Sequence, residues 1–199
     1  MAIDVNSTIN LSLVSVLLLD RSQHSLEIMA QIVKGFGAQE VHRCSTVSDA
    51  ERILKRSTID LIIADPALKD GDGFELLRNL RSSPSERNQH VPIILASGHS
   101  TPTRVAMARD IGANFFVVKP VSPKTLVERI LWIERDKRAF VECDSGYCGP
   151  DRRFKFTGPP LGSEGRRRDD LNGDVGEASE PNMSQNEINN LIKPQRVVL

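Results

Sequence analysis

Net charge is the first thing this 199-residue chain lacks: 26 basic side chains balance 26 acidic ones, leaving no overall field to draw it to nucleic acid or an anionic membrane. It also lacks a long hydrophobic run. The longest apolar stretch, 11–19, is interrupted by Ser12 and Ser15, falls well short of the roughly 20 residues a membrane helix needs, and has no basic residue ahead of it to suit a signal peptide. DNA binding and membrane insertion are therefore not expected, and the cytoplasm is the expected location. Cysteine is scarce. Cys44, Cys143 and Cys148 form neither an even disulfide framework nor the spacing of a closed zinc site, and His24, His42, His90 and His99 share no ligand spacing, so ordinary reduced thiols and solvated imidazoles are expected. Hydrophobic residues make up 39%, slightly below the globular norm. The shortfall lies in residues 141–199, which hold 7 of the 13 glycines and 5 of the 11 prolines.

Up to about Asp136, short apolar runs alternate with amphipathic segments, the pattern of repeated βα units around a parallel sheet. The runs predict strands at Val14–Leu19, Glu40–Arg43, Ile59–Ala64, Val91–Ala96 and Phe115–Val118. Four are almost continuously apolar, as strands covered on both faces must be; the run at 40–43 is weaker and reads as an edge. Leu26, Ile28, Met29, Ile32, Val33 and Phe36 recur at helical spacing, and the Gly35 to Gly37 region supplies a stop. Ser48 with Glu51 reads as a capping box for a second helix, Asp72 as the cap of a third, Thr103–Ile111 as a fourth that Gly112 stops, and Ser122 with Pro123 as the start of a fifth. The expectation is an α/β, flavodoxin-like (βα)5 doubly wound parallel sheet over residues 12–138. A flexible, mostly disordered Gly/Pro/Arg-rich tail then covers 139–199, with one short amphipathic helix at 184–193.

In such a sheet, functional groups gather beyond the carboxyl ends of the strands. Asp20, Asp65, Ser97 and Lys119 fall there, followed by Pro120, whose peptide bond is expected to be cis. Two carboxylates, a hydroxyl and an ammonium on one rim suit phosphoryl chemistry: a carboxylate nucleophile, a carboxylate for Mg²⁺, and two groups to contact phosphoryl oxygens.

The segments Val16-Leu17-Leu18-Leu19-Asp20, Ile59-Asp60-Leu61-Ile62-Ile63-Ala64-Asp65, Asp72-Gly73-Phe74-Glu75-Leu76-Leu77, Pro92-Ile93-Ile94-Leu95-Ala96-Ser97-Gly98 and Gly112-Ala113 leading to Lys119-Pro120 stand in order at matching spacing. Together they make residues 12–136 resemble the receiver domain of two-component response regulators. The resemblance implies that Asp65 is the phosphoacceptor, that Asp20, Asp65 and the Ala67 carbonyl hold Mg²⁺, that Ser97 is the switch hydroxyl, and that the aromatic switch falls on Phe116. It implies a histidine kinase or phosphotransfer protein as donor.

Two positions depart from the family pattern. Where the family has a second acidic residue after the first strand, this chain has Arg21, which removes a metal ligand and adds a repelling charge; Arg21 could instead pair with Asp65 or a phosphoryl group. After Asp65, Pro66-Ala67-Leu68 replaces the usual Met-Pro-Gly.

In the tail, Ser184 and Glu187 form a capping box, Met183 and Ile188 a hydrophobic staple, and Ile188, Leu191 and Ile192 one apolar face of a helix too short to stand alone. The segment resembles the N-terminal peptide of the flagellar motor switch protein. It is expected to seat in a groove, on its own receiver or another copy, or to compete for the motor. Arg166, Arg167, Arg168 and Asp170 offer a phosphate- or nucleotide-binding cluster.

The leading expectation is a stand-alone, non-enzymatic response regulator whose phosphorylated aspartate switches protein binding in a phosphorelay, with chemotaxis or flagellar motility as output. The alternative is a phosphorylation-independent pseudo-receiver, or a cyclic di-GMP effector that uses the arginine-rich tail.

Overall fold

The structure, a computed structural model, describes residues 9–83, 87–136, 138–143, 147–151 and 182–192. Five βα units run β1 (Ser15–Leu19), α1 (Gln23–Gly35), β2 (Glu40–Cys44), α2 (Val47–Arg56), β3 (Leu61–Ala64), α3 (Gly73–Ser82), β4 (Ile93–Ser97), α4 (Pro102–Asp110), β5 (Phe115–Val118) and α5 (Pro123–Arg135). The strands form one parallel sheet in the order β2-β1-β3-β4-β5. The chain therefore leaves β1 for one edge, returns to its other side at β3, and ends with β5 at the far edge. The β1/β3 boundary is the switch point, and the strands' carboxyl ends open onto a shared rim there.

Alternation along each strand sends side chains into two core layers. Leu17, Leu19, Ile62, Ala64, Ile93, Leu95 and Phe116 pack with Ala50, Leu54, Leu77 and Val105 from α2, α3 and α4. Val16, Leu18, Ile63, Ile94, Phe115 and Val117 pack with Leu26, Val33, Leu126 and Ile130 from α1 and α5. Strands buried on both faces need the unbroken Val/Ile/Leu runs seen in the sequence.

The helix starts follow side-chain capping. Ser22, Asp72 and Ser122 accept from the backbone N–H groups of Ser25, Phe74 and Thr125, and Pro123 occupies the first turn of α5. α2 differs from expectation. Its cap is Thr46, which accepts from Asp49 N–H, in place of a Ser48–Glu51 box. Asp70, from the loop after β3, binds the N–H groups of Val47 (2.5 Å) and Ser48 (3.2 Å) and the Ser48 hydroxyl (2.8 Å). The N–H of Val47, foremost among these bonds, holds the Asp70 carboxyl below its usual range. α4 begins at Pro102, one residue before the expected Thr103, because Thr101 is the cap. β3 and β4 start later than the apolar runs do. Ile59 N–H, for example, is taken by the Asn88 side chain and not by a neighbouring strand.

Asn88 is 1% exposed; its Oδ1 accepts from Ile59 (2.8 Å) and its Nδ2 donates to the carbonyls of Leu54 (2.8 Å) and Ser57 (2.9 Å). Removing it strands three backbone groups. Asn88→Ala is expected to cost about 3 kcal/mol of stability, since each buried group left unsatisfied costs roughly 1–3 kcal/mol and relaxation recovers part of it. Urea unfolding of the full chain measures it, and a loss under about 1 kcal/mol would mean that water replaces the amide.

The receiver boundary expected at 138 is followed by further ordered structure. β6 (Phe140–Glu142) and β7 (Cys148–Pro150) form an antiparallel hairpin that contacts α3. The Arg81 guanidinium, 2% exposed, lies 4.9 Å from the Phe140 ring centroid and donates to the carbonyls of Gln89, Val91 (2.7 Å) and Gly112 (3.3 Å). Burial lowers its pKa to about 10, which still leaves it charged at neutral pH. α6 (Gln185–Ile192) lies against β5. Among the described residues, no helix is long and apolar enough to cross a membrane.

Candidate functional site

The rim residues are held by extensions of the sheet ladder. Asp20 N–H bonds the Cys44 carbonyl (3.1 Å), Asp65 N–H the Leu19 carbonyl (2.7 Å) and Lys119 N–H the Ser97 carbonyl (3.0 Å). Each functional side chain therefore emerges one residue beyond, or at the end of, a strand whose position its neighbours fix. The side chains of Asp20, Asp65 and Lys119 meet on the rim, Ser97 adjoins them through its carbonyl, which accepts from Lys119 N–H, and the Lys119-Pro120 bond is cis.

Lys119 Nζ lies 2.5 Å from Asp20 Oδ2 and 2.5 Å from Asp65 Oδ2. The other oxygen of each carboxylate accepts from the backbone two residues on: Asp20 Oδ1 from Ser22 N–H (2.8 Å) and Asp65 Oδ1 from Ala67 N–H (2.9 Å). These side chains are only 22%, 10% and 12% exposed for Lys119, Asp20 and Asp65, so the attraction acts with less water screening than at an open surface. One ammonium thus bridges two anions, with one oxygen of each facing it.

Arg21 is exposed, and among the described residues it forms no ion pair. Asp65 is paired with Lys119 and not with Arg21, so the pairing envisaged for that guanidinium is not the arrangement adopted. The backbone after Asp65 is fixed by close packing. Gly73 N–H bonds the Pro66 carbonyl (2.8 Å), and a Cβ at Gly73 would stand 2.8 Å from Pro66 Cα. Ala67 also bridges to Asp72.

Ser97 closes β4 at 1% exposure, and its Oγ accepts from His99 N–H (3.2 Å). Phe116 is 1% exposed and lies in the core layer that also holds Ile188 of α6. The tail capping box forms, with Ser184 Oγ 2.7 Å from Glu187 Oε2, and Ile188 is fully buried. The side chains of Leu191 and Ile192, and the whole of Arg166, Arg167, Arg168 and Asp170, lie outside the described residues. Sequence reading missed the partners of the tail: Ser100, Phe116 and Val118 on the receiver, and Asn182 and Gln185 on the tail itself.

Away from the rim, His90, Glu142 and Cys148 place their ligand-type atoms within 4.8 Å of one another. Their distance in sequence hid this grouping. Glu142 Oε1 sits 3.0 Å from His90 Nε2, and burial, the largest influence on it, raises the Cys148 thiol. Cys44 is pushed up to about 11, chiefly by burial and then by Asp49. Both thiols are thereby kept protonated at neutral pH, which suits packing better than nucleophilic chemistry.

Comparison with known proteins finds the response regulator receiver domain family over residues 16–131. The chain is 28% identical over 130 residues to a probable cyclic di-GMP phosphodiesterase of Vibrio cholerae, covering 65% of this chain and 29% of that one. It is 31% identical over 86 residues to the two-component response regulator ORR3 of Oryza sativa, covering 41% and 64%. This chain thus spans less than two thirds of either relative. Among solved structures, the signal receiver domain of a histidine kinase from Syntrophus aciditrophicus is 27% identical with a TM-score of 0.54, covering 65% of this chain and 97% of that one. The chemotaxis protein CheY4 of Vibrio cholerae, at 23% identity and TM-score 0.54 over 59% and 96%, shares the fold.

Proposed function

The chain belongs to the response regulator receiver domain family, and we propose that Asp65 accepts a phosphoryl group from a phosphohistidine of a kinase or phosphotransfer protein and so switches protein binding in a phosphorelay. The observation that carries this reading is Lys119 Nζ at 2.5 Å from Asp65 Oδ2 and 2.5 Å from Asp20 Oδ2. In the transfer, a carboxylate oxygen of Asp65 bonds to phosphorus as the donor's P–N bond breaks, and the donor imidazole leaves with the bonding pair. The product is an acyl phosphate with roughly two negative charges. Lys119 follows that charge onto the phosphoryl oxygens, while Asp20 stays as its counter-anion. Ser97, whose hydroxyl hydrogen is uncommitted in its bond from His99, donates to the same oxygens, and Phe116 repacks with it.

The donors at the rim fit Mg²⁺ in kind: two carboxylates that already converge on a single cation are hard oxygen ligands, and the family resemblance adds the Ala67 carbonyl. Asp20, Asp65 and Ala67 would hold the ion. When bound, it supplies charge compensation for the incoming phosphoryl group. Arg21 stands where another carboxylate would complete the set, and affinity is correspondingly weak.

The output in this reading is flagellar motility, supported by the capped Met183–Leu191 segment and its resemblance to the motor switch peptide. A phosphorylation-independent pseudo-receiver is the second reading, favoured by Arg21. Incubating the full chain with Mg²⁺ and acetyl phosphate, then measuring intact mass, separates the two. One base-labile phosphoryl group on the wild type and none on Asp65→Asn is expected; an unmodified wild type would establish the pseudo-receiver.

A further inference from the structure

β5 is an edge strand, and an edge presents unpaired N–H and C=O groups that invite another chain. Here a side chain fills that role. Gln185 Oε1 accepts from Val118 N–H (2.8 Å) and Gln185 Nε2 donates to the Phe116 carbonyl (3.1 Å), so one carboxamide pairs with the edge as a neighbouring strand would. Ser100, in the loop between β4 and α4, makes three more bonds. Its carbonyl accepts from Met183 N–H (2.7 Å), its hydroxyl donates to the Met183 carbonyl (2.8 Å), and its N–H donates to Asn182 Oδ1 (3.1 Å). From α5, Arg129 Nη2 reaches Asn189 Oδ1 at 3.1 Å. Ile188, fully buried, closes over the layer that contains Phe116.

A helix of this length falls below the roughly 12–15 residues at which isolated helices become even marginally stable, so its order comes from this surface. It is joined to the receiver through residues 152–181. The capping box and the Gln185–Ile188 spacing are features that any helix could carry. We propose that the β5 edge is a reading surface for an N-capped helix of the form Ser-Gln-x-Glu-Ile, and that the chain's own residues 182–192 occupy it in cis as a tethered competitor. A partner protein presenting such a helix binds only by displacing them. The inference rests on the receiver reading for the surface being the output face, while the docking contacts are those of the unphosphorylated chain and need no phosphorylation at Asp65.

A covalent tether sets an effective concentration of about millimolar order, so a tail helix whose own dissociation constant is about 100 μM or tighter weakens any competing partner by roughly tenfold or more. A fluorescein-labelled peptide of residues 182–192 is titrated with the full chain, with Gln185→Ala and with Ile188→Asp, and anisotropy is followed at several protein concentrations. The peptide is expected to bind both variants at least tenfold more tightly than the wild type. The amide signals of Ser100 and Val118 should move in the unliganded variants and return when peptide is added. Equal affinity for all three proteins would overturn occupancy in cis. Absence of binding to a folded Gln185→Ala chain would overturn the reading surface, and wild-type mass that doubles with concentration would assign the helix to a second copy. None of these readouts involves phosphorylation, so failure of the receiver reading is distinguishable from failure of this one.

Discussion

Arg21→Asp is expected to tighten Mg²⁺ binding at the Asp20–Asp65 pair by at least tenfold. The exchange replaces a repelling cation with a hard anionic ligand, a change of two charges close to the bound ion. At about 6 Å and an effective dielectric constant of about 20, each unit of charge is worth roughly 5 kcal/mol against a divalent ion, and solvent exposure of Arg21 reduces this several-fold. The remainder still exceeds the ~1.4 kcal/mol that a factor of ten requires. Lys119, which bridges both carboxylates at 2.5 Å, competes for the same oxygens in both proteins and cancels in the comparison. Calorimetric titration with Mg²⁺, or amide shifts at Asp20 and Ala67, measures the effect without any reaction. Arg21→Ala should fall between the two. Equal affinities across the series would show that the position no longer faces the metal.

Gly112→Ala is expected to cost about 3 kcal/mol or more of stability. Gly112 ends α4 at φ +76, where a side chain is strained by about 1 kcal/mol or more. Its missing Cβ leaves the space in which the hairpin sits: a Cβ there would lie 2.0 Å from the Cys148 carbonyl oxygen and 3.0 Å from Gly149 Cα. Backbone on both sides leaves no flexible side chain to give way. The Gly112 carbonyl is also one of the three that hold Arg81, so displacing this turn exposes a buried guanidinium to poorer pairing. Urea unfolding gives the stability. A loss below about 1 kcal/mol together with an unshifted Tyr147 signal would mean that the hairpin is not packed on the turn.

The sheet was legible because burial on both faces leaves the sequence little freedom: β1, β3 and β4 can be read from Leu17–Leu19, Ile62–Ile63 and Ile93–Leu95 alone. The rim followed from that reading, since the residue after each strand needs no further information to be placed. Capping was less legible. Thr46-x-x-Asp49 and Ser48-x-x-Glu51 are overlapping versions of one pattern, and the choice between them depends on Asp70, which arrives from another loop. Strand starts were misjudged at Ile59 and Val91, where apolar side chains continue into the core but the backbone leaves the ladder to meet Asn88. The hairpin at Phe140–Pro150 was hidden by strands of three residues set among turn-forming ones, and its stability comes from Arg81, nearly 60 residues upstream, which no local pattern encodes. Ile188 was readable from the staple and capping box. Gln185 was not, because its role is to satisfy a strand edge that exists only in the folded receiver.

The measurement that bears most directly on the phospho-switch is the amide spectrum of the full chain with Mg²⁺ and beryllofluoride, which mimics an aspartyl phosphate, beside that of Asp65→Ala. Shifts at Ser97, Phe116 and Lys119 that are absent from the variant are the predicted result. A spectrum indifferent to beryllofluoride at millimolar Mg²⁺ would contradict the switch and leave the domain a scaffold for its helix-binding edge.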